Sequence, residues 1–168
     1  MTLTRAHWIR LGVLFAAAAA ASVAAWQWQL GLERARFERS LADLKGYSRA
    51  ELAKQWRDRD DLPAVKWSPV ENADPALAVI PRSGHMFQDA IYILYRGDRP
   101  SAILAVTGIG TWWNGSRLSS GTKPGTKDAG DRTEMVRLMA EYRAAQKPGA
   151  PAIASTDHAV QVAKELVD

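Results

Sequence analysis

Between Leu11 and Leu32 the chain carries no charged side chain, whereas from Glu33 onward charged and apolar positions are interleaved. Trp8 lies just before the uncharged stretch, and Trp26 and Trp28 lie near its end. At about 1.5 Å per residue, the steps from Trp8 to Trp28 make a helix of roughly 30 Å, which matches a hydrocarbon thickness of about 30 Å. Indole rings favour the headgroup boundary, so tryptophans at both ends suit a spanning helix with Trp8, Trp26 and Trp28 as membrane-interface residues. Gln27 and Gln29 then fall at the wet end. The middle is alanine-rich, from Ala16 to Ala21 with Ala24 and Ala25 beyond. Its hydrophobicity is modest, and its small side chains would let a partner helix approach closely.

Besides a buried helix of a soluble domain, two readings of this segment stand side by side. One is a retained anchor over residues 1–32. The other is a cleaved signal peptide, with Arg5 and Arg10 as its basic region, Leu11 to Ala21 as its apolar core, and Val23-Ala24-Ala25 as a small-residue cleavage pattern. The aromatic brackets favour the anchor. Orientation pulls two ways. Arg34, Arg36, Arg39 and Lys45 after the segment outnumber Arg5 and Arg10 before it, which favours a cytoplasmic C-terminal side. A short basic N-terminus ahead of a long domain instead fits export, because long domains translocate largely regardless of charge. The expectation is a single pass through the inner membrane with the C-terminal domain in the periplasm.

Beyond the segment, Leu30, Phe37, Leu41 and Leu44 recur at helical spacing with charges between them, so the helix is expected to run on as an amphipathic stalk to about Lys45, where Gly46 ends it. Ser48-Arg49-Ala50-Glu51 is a capping box, with Tyr47 and Leu52 placed as a hydrophobic staple. A short helix carrying Leu52 and Trp56 should follow and fade in the charged run Arg57 to Asp61. Pro63, Pro69, Pro75 and Pro81 punctuate an extended region, within which Leu77 to Ile80 suits a short strand. The runs 90–95 and 101–106, apolar, β-branched and aromatic, flank Arg96-Gly97-Asp98-Arg99-Pro100 and read as a hairpin. Both runs are apolar on successive residues, so both of their faces need a cover of helices or strands.

Glycines Gly108, Gly110 and Gly115 surround Trp112 and Trp113, and Ser116 to Gly130 reads as a long polar loop. Asp131 is the expected cap of a helix with Glu134 three residues on and an apolar stripe of Met135, Leu138, Met139 and Tyr142. Lys147-Pro148-Gly149 would stop that helix. A last helix is expected from about Asp157 to Val167, capped by Ser155 or Thr156, with Val160, Ala163, Leu166 and Val167 inward. The fold class is thus α+β: an N-terminal transmembrane helix, a stalk, and a small antiparallel sheet around the hairpin at about 90–106, packed on one face by two C-terminal helices. The divisions are 1–32 for the anchor, 33–61 for the helical stalk and 62–168 for the α+β domain.

Composition adds exclusions. There is no cysteine, which removes disulfides, thiolate metal sites and cysteine nucleophiles. Of the 22 basic side chains, Arg5 and Arg10 precede the apolar stretch, and the rest nearly balance 18 acidic ones. The mixture runs along the whole chain, so nucleic-acid binding is not indicated. Alanine- and arginine-rich, lysine-poor usage looks like that of a GC-rich bacterium.

Reactive constellations are weak. Gly110 to Gly115 has the glycine spacing of a phosphate loop, but Ser116 stands where lysine is required, and Pro124 breaks the run Gly121 to Lys127. His85 and His158 without cysteine make a poor metal site, and no spacing supports a triad from Ser83, His158 and Asp89. Arg96-Gly97-Asp98 is explained by a turn, and Asn114-Gly115-Ser116 fits a glycosylation acceptor that means little in a bacterial chain. The remaining candidate is Trp112 with Trp113, a platform for a ring or a partner, beside Lys123 and Lys127 as anion-holding cations in a glycine loop.

The outline of strand, turn, strand and C-terminal helix behind an anchor resembles exported flavin-mononucleotide-binding domains. Those carry Ser-Gly-Ala-Thr before the last helix, and Ile153-Ala154-Ser155-Thr156 lacks the Gly-Ala pair, so the resemblance stops at the outline. The expected function is therefore a non-catalytic accessory or assembly subunit of an envelope complex. It would need no metal or cofactor, its partners would be the membrane and another protein, and its contact would be Trp112, Trp113 and the hairpin. The alternative is an exported module binding a glycan, a flavin or an anion through Trp112, Trp113, Lys123 and Lys127.

Overall fold

The computed structural model describes residues 5–57, 64–83, 88–107, 110–118, 128–146 and 154–165. The protein is α+β. It has one long apolar N-terminal helix, a six-stranded antiparallel sheet and C-terminal helices. The chain forms two compact units, Met1–Ser40 and Leu41–Asp168, and their boundary falls inside the stretch read as stalk.

The first unit is helix α1 (Arg5–Leu44) up to Ser40. α1 is long and apolar enough to cross a membrane by length and composition, and its apolar window is wholly exposed. The side chains of Trp8, Phe15, Trp26 and Trp28 all lie in the open. Ser22, the one hydroxyl in the apolar run, donates to the Ala18 carbonyl at 2.9 Å, so its polar group is satisfied within the helix.

In the second unit, the last turn of α1 contributes Leu41 and Leu44, both buried. Gly46 and Tyr47 then close on the carbonyls of Asp43 and Leu44. α2 (Arg49–Arg57) follows. The capping box forms in both directions: the Glu51 carboxylate accepts from the Ser48 N–H at 2.8 Å, and Ser48 Oγ accepts from the Glu51 N–H at 3.3 Å.

The strands are β1 (Lys66–Ser68), β2 (Ala76–Ser83), β3 (Gln88–Arg96), β4 (Arg99–Thr107), β5 (Gly110–Trp113) and β6 (Ser116–Leu118). They pair in chain order, each with the next, as an antiparallel meander. The β3–β4 hairpin forms around Gly97 and Asp98, with Arg96 opposite Arg99. Gly97 holds φ of +58°, whereas Asp98 stays at negative φ, the pattern of a turn with glycine at its first central position. A bulge sits at Leu94 and Tyr95, where Tyr95 faces Pro100. Proline cannot donate to the ladder, so the register slips beside it.

The β2 strand is twice as long as the Leu77–Ile80 run, because pairing with β3 carries it through Pro81 to Ser83. Ser116 to Leu118, read as the start of a polar loop, is a strand. Residues 119–127 of that loop lie outside the described residues.

α3 (Ala129–Ala144) and α4 (Ala154–Glu165) complete the unit. Met135, Leu138, Met139 and Tyr142 of α3 and Val160 and Ala163 of α4 are buried. They form one cluster with Leu77, Val79, Tyr92, Leu94, Leu104, Val106 and Trp113. Successive strand residues point to opposite faces, and the other set, with Ala78, Ile80, Ile91, Ile93, Tyr95, Ile103 and Trp112, is buried as well. The expectation of helices on one face is thus incomplete. An apolar second face needs its own cover, and the segment from Tyr47 to α2 lies against part of it. The Tyr95 hydroxyl donates to the Tyr47 carbonyl at 3.1 Å, and the Arg49 guanidinium stands 5.7 Å from the Tyr95 ring.

Two helix starts differ from expectation. α3 begins at Ala129, so Asp131 lies in its first turn instead of capping it. α4 begins at Ala154, which places Ser155 and Thr156 inside the helix.

Candidate functional site

Trp112 and Trp113 occupy consecutive positions of β5, so their rings leave the sheet on opposite sides. Trp113 is 4% exposed and belongs to the cluster under α3 and α4; Trp112 is fully buried. The two rings therefore do not form an open platform. The adjacency that suggested one is the feature that separates them in a strand.

Each indole has a specific setting. Trp113 Nε1 donates to Asp128 Oδ2 at 3.0 Å, just ahead of α3. A buried indole N–H needs an acceptor, and the residue that would otherwise cap α3 supplies it, for Asp128 makes no side-chain cap bond. The neighbour Asp131 takes Arg96 Nε at 2.9 Å and the Ser101 hydroxyl, tying the start of α3 to the β3–β4 hairpin. On the other side of β5, Trp112 pairs across the strands with Arg117, whose guanidinium carbon is 5.9 Å from the ring centroid. Such a cation over an indole is worth about 0.5–1 kcal/mol at an exposed site.

The β5–β6 turn is Asn114-Gly115, with φ of 50° and 86°. Both central residues are left-handed, the requirement of the two-residue turn that Asn-Gly favours. Asn114 also extends the ladder. Its N–H donates to the Ile103 carbonyl at 2.8 Å, and its Oδ1 accepts from the Ile103 N–H at 2.9 Å. Its own carbonyl accepts from Lys45 Nζ. The triplet considered as a glycosylation acceptor is thus a turn whose asparagine oxygen is already engaged.

At the hairpin end of the sheet, three segments meet around Arg49. Its Nη1 donates to the carbonyls of Glu71 and Ala73, both at 2.6 Å, and its backbone N–H donates to Asp98 Oδ1 at 3.1 Å. Asp74 Oδ1 accepts from the Gly97 N–H at 2.9 Å. The β1–β2 loop, the β3–β4 turn and the start of α2 are thereby held together. Burial pushes the Tyr95 hydroxyl well above the usual phenol range, and Asp98 adds to the effect, so the group remains a protonated donor to Tyr47.

Lys123, Lys127 and His85 lie outside the described residues, as does the side chain of His158. Four carboxylates around the sheet are committed to structural bonds: Asp74, Asp98 and Asp128 each accept one, and Asp131 accepts two. Among the described residues, no group of three or more His, Asp or Glu side chains is placed to hold a metal ion.

The bonds that Asp128, Asn114 and Arg49 make here were not among the expectations from sequence. Asn-Gly between Trp113 and Ser116 was a recognisable hairpin signal. Asp128 and Arg49 offered none, because their partners are distant in the chain. Comparison with known proteins finds no matching family model, no matching curated protein and no matching solved structure.

Proposed function

We propose that this chain is a single-pass, membrane-anchored, non-catalytic accessory or assembly subunit of a bacterial envelope complex. α1 holds it in the inner membrane and its C-terminal domain stands in the periplasm. The supporting observation is where the apolar surface lies. Ile9, Leu11, Val13, Leu14, Phe15, Val23, Trp26 and Trp28 of α1 are exposed, whereas Val70 is the one large apolar side chain exposed among the described residues of Leu41–Asp168. Removing a side chain of this size from water is worth about 1.5–3 kcal/mol, so the run along α1 belongs in lipid. Retention is favoured over cleavage by the tryptophans at both ends of the apolar stretch, Trp8 before it and Trp26 and Trp28 near its end, which suit a helix held across both headgroup boundaries. The short basic N-terminus with Arg5 and Arg10 ahead of a long domain favours export of that domain.

The non-catalytic part of the reading rests on what the sheet's carboxylates do, which is to hold loops and helix starts. Burial of Trp112 and Trp113 moves the partner contact to the neighbouring hairpin end. There Arg96, Gly97, Asp98 and Arg99 are exposed on a turn braced by Asp74, Arg49 and Asp131. A braced exposed turn binds with little ordering cost.

The test uses the full chain expressed in a bacterial host. It should resist alkaline carbonate extraction, keep its N-terminal residues, and co-purify in mild detergent with a membrane complex. Arg99→Glu should abolish co-purification while the domain keeps its native far-UV circular dichroism. Recovery of a soluble form that starts at Trp26 would overturn the anchor, and unchanged co-purification of the variant would overturn the contact.

A further inference from the structure

We draw no further inference here: the strongest candidate, the small-residue face of α1 that carries Gly12, Ala16, Ala20 and Ala24 at four-residue spacing within the exposed apolar stretch, would suit a second helix packed closely in the bilayer, but nothing in the structure shows what covers it.

Discussion

Trp113 and Asp128 are joined by a hydrogen bond of 3.0 Å from the indole N–H to the carboxylate, and it links β5 to the start of α3. The ring is almost wholly buried, so its N–H has no ready substitute in water. Asp128→Ala should therefore cost about 1–3 kcal/mol, the penalty of an orphaned buried donor. Asp128→Asn keeps an acceptor oxygen and should lose less. Urea unfolding followed by tryptophan fluorescence separates the two; equal stability of Asp128→Ala and the parent would refute the role of this bond.

Leu41 belongs to the helix that carries the apolar stretch, yet it is fully buried in the second unit. Leu41→Ala should destabilise that unit by about 2–5 kcal/mol, the range for large-to-alanine changes in cores. A fragment starting at Leu41 should melt cooperatively, and one starting at Ser48 should be much less stable because it lacks both Leu41 and Leu44. Indistinguishable melts for the two fragments would show that the last turn of α1 is dispensable.

Gly97 and Gly110 separate two costs of adding a side chain. At Gly97, φ is +58° and an added Cβ would meet nothing within 4 Å. Gly97→Ala should thus cost only the left-handed backbone penalty of about 1–2 kcal/mol, and Gly97→Asn should cost less. At Gly110, φ is +147° and the new Cβ would lie 2.9 Å from Arg117 Nε. Gly110→Ala should be worse than Gly97→Ala. Because the exposed Arg117 guanidinium can shift aside, adding Arg117→Ala should restore little of the loss and leave the backbone part, which thermal melts of the single and double variants can resolve.

The capping box makes stability depend on pH. Hydrogen bonding to the Ser48 backbone N–H, helped by the Ser48 side chain, holds the Glu51 carboxyl below its ordinary value of 4.5. A carboxyl with a lowered folded-state value stabilises the fold above its unfolded value and loses that contribution as pH falls through the lowered one. Melting temperature should therefore decline below about pH 4.5, and Glu51→Gln should remove this component of the decline. Ser48→Ala should cost about 1 kcal/mol through the lost cap. Parallel melting curves of Glu51→Gln and the parent across this range would count against the assignment.

A charge in the middle of α1 tests the lipid environment directly. Ala18→Arg places a guanidinium near the centre of the apolar stretch, where insertion costs about 2.5–3.5 kcal/mol more. The variant should shift toward the carbonate-extractable fraction, while Arg39→Ala beyond the stretch should not. Unchanged fractionation of Ala18→Arg would argue against a spanning segment.

What was legible in advance was whatever depends on neighbours in the chain. The uncharged run of α1, the capping box at Ser48 and Glu51, the hairpin around Gly97 and the stripe on α3 are patterns of short period, and local sterics and burial impose them residue by residue. The Asn114-Gly115 turn is equally local, although the same three letters, Asn114 to Ser116, also fit a modification motif.

The roles of Trp112 and Trp113 were of another kind. Side by side in the chain they suggest a shared surface, and only pairing of β5 with both β4 and β6 places them on opposite sides of a sheet. In the same way, Asp131 reads as a cap until the hairpin brings Arg96 and Ser101 to it, and Asp128 is one polar residue among many until Trp113 is buried beside it. The chain alone determined which stretches are apolar enough for lipid or for a core, because transfer from water depends on side-chain type. The tertiary structure decided which polar groups meet, because a hydrogen bond forms only between atoms that folding brings within about 3 Å of each other.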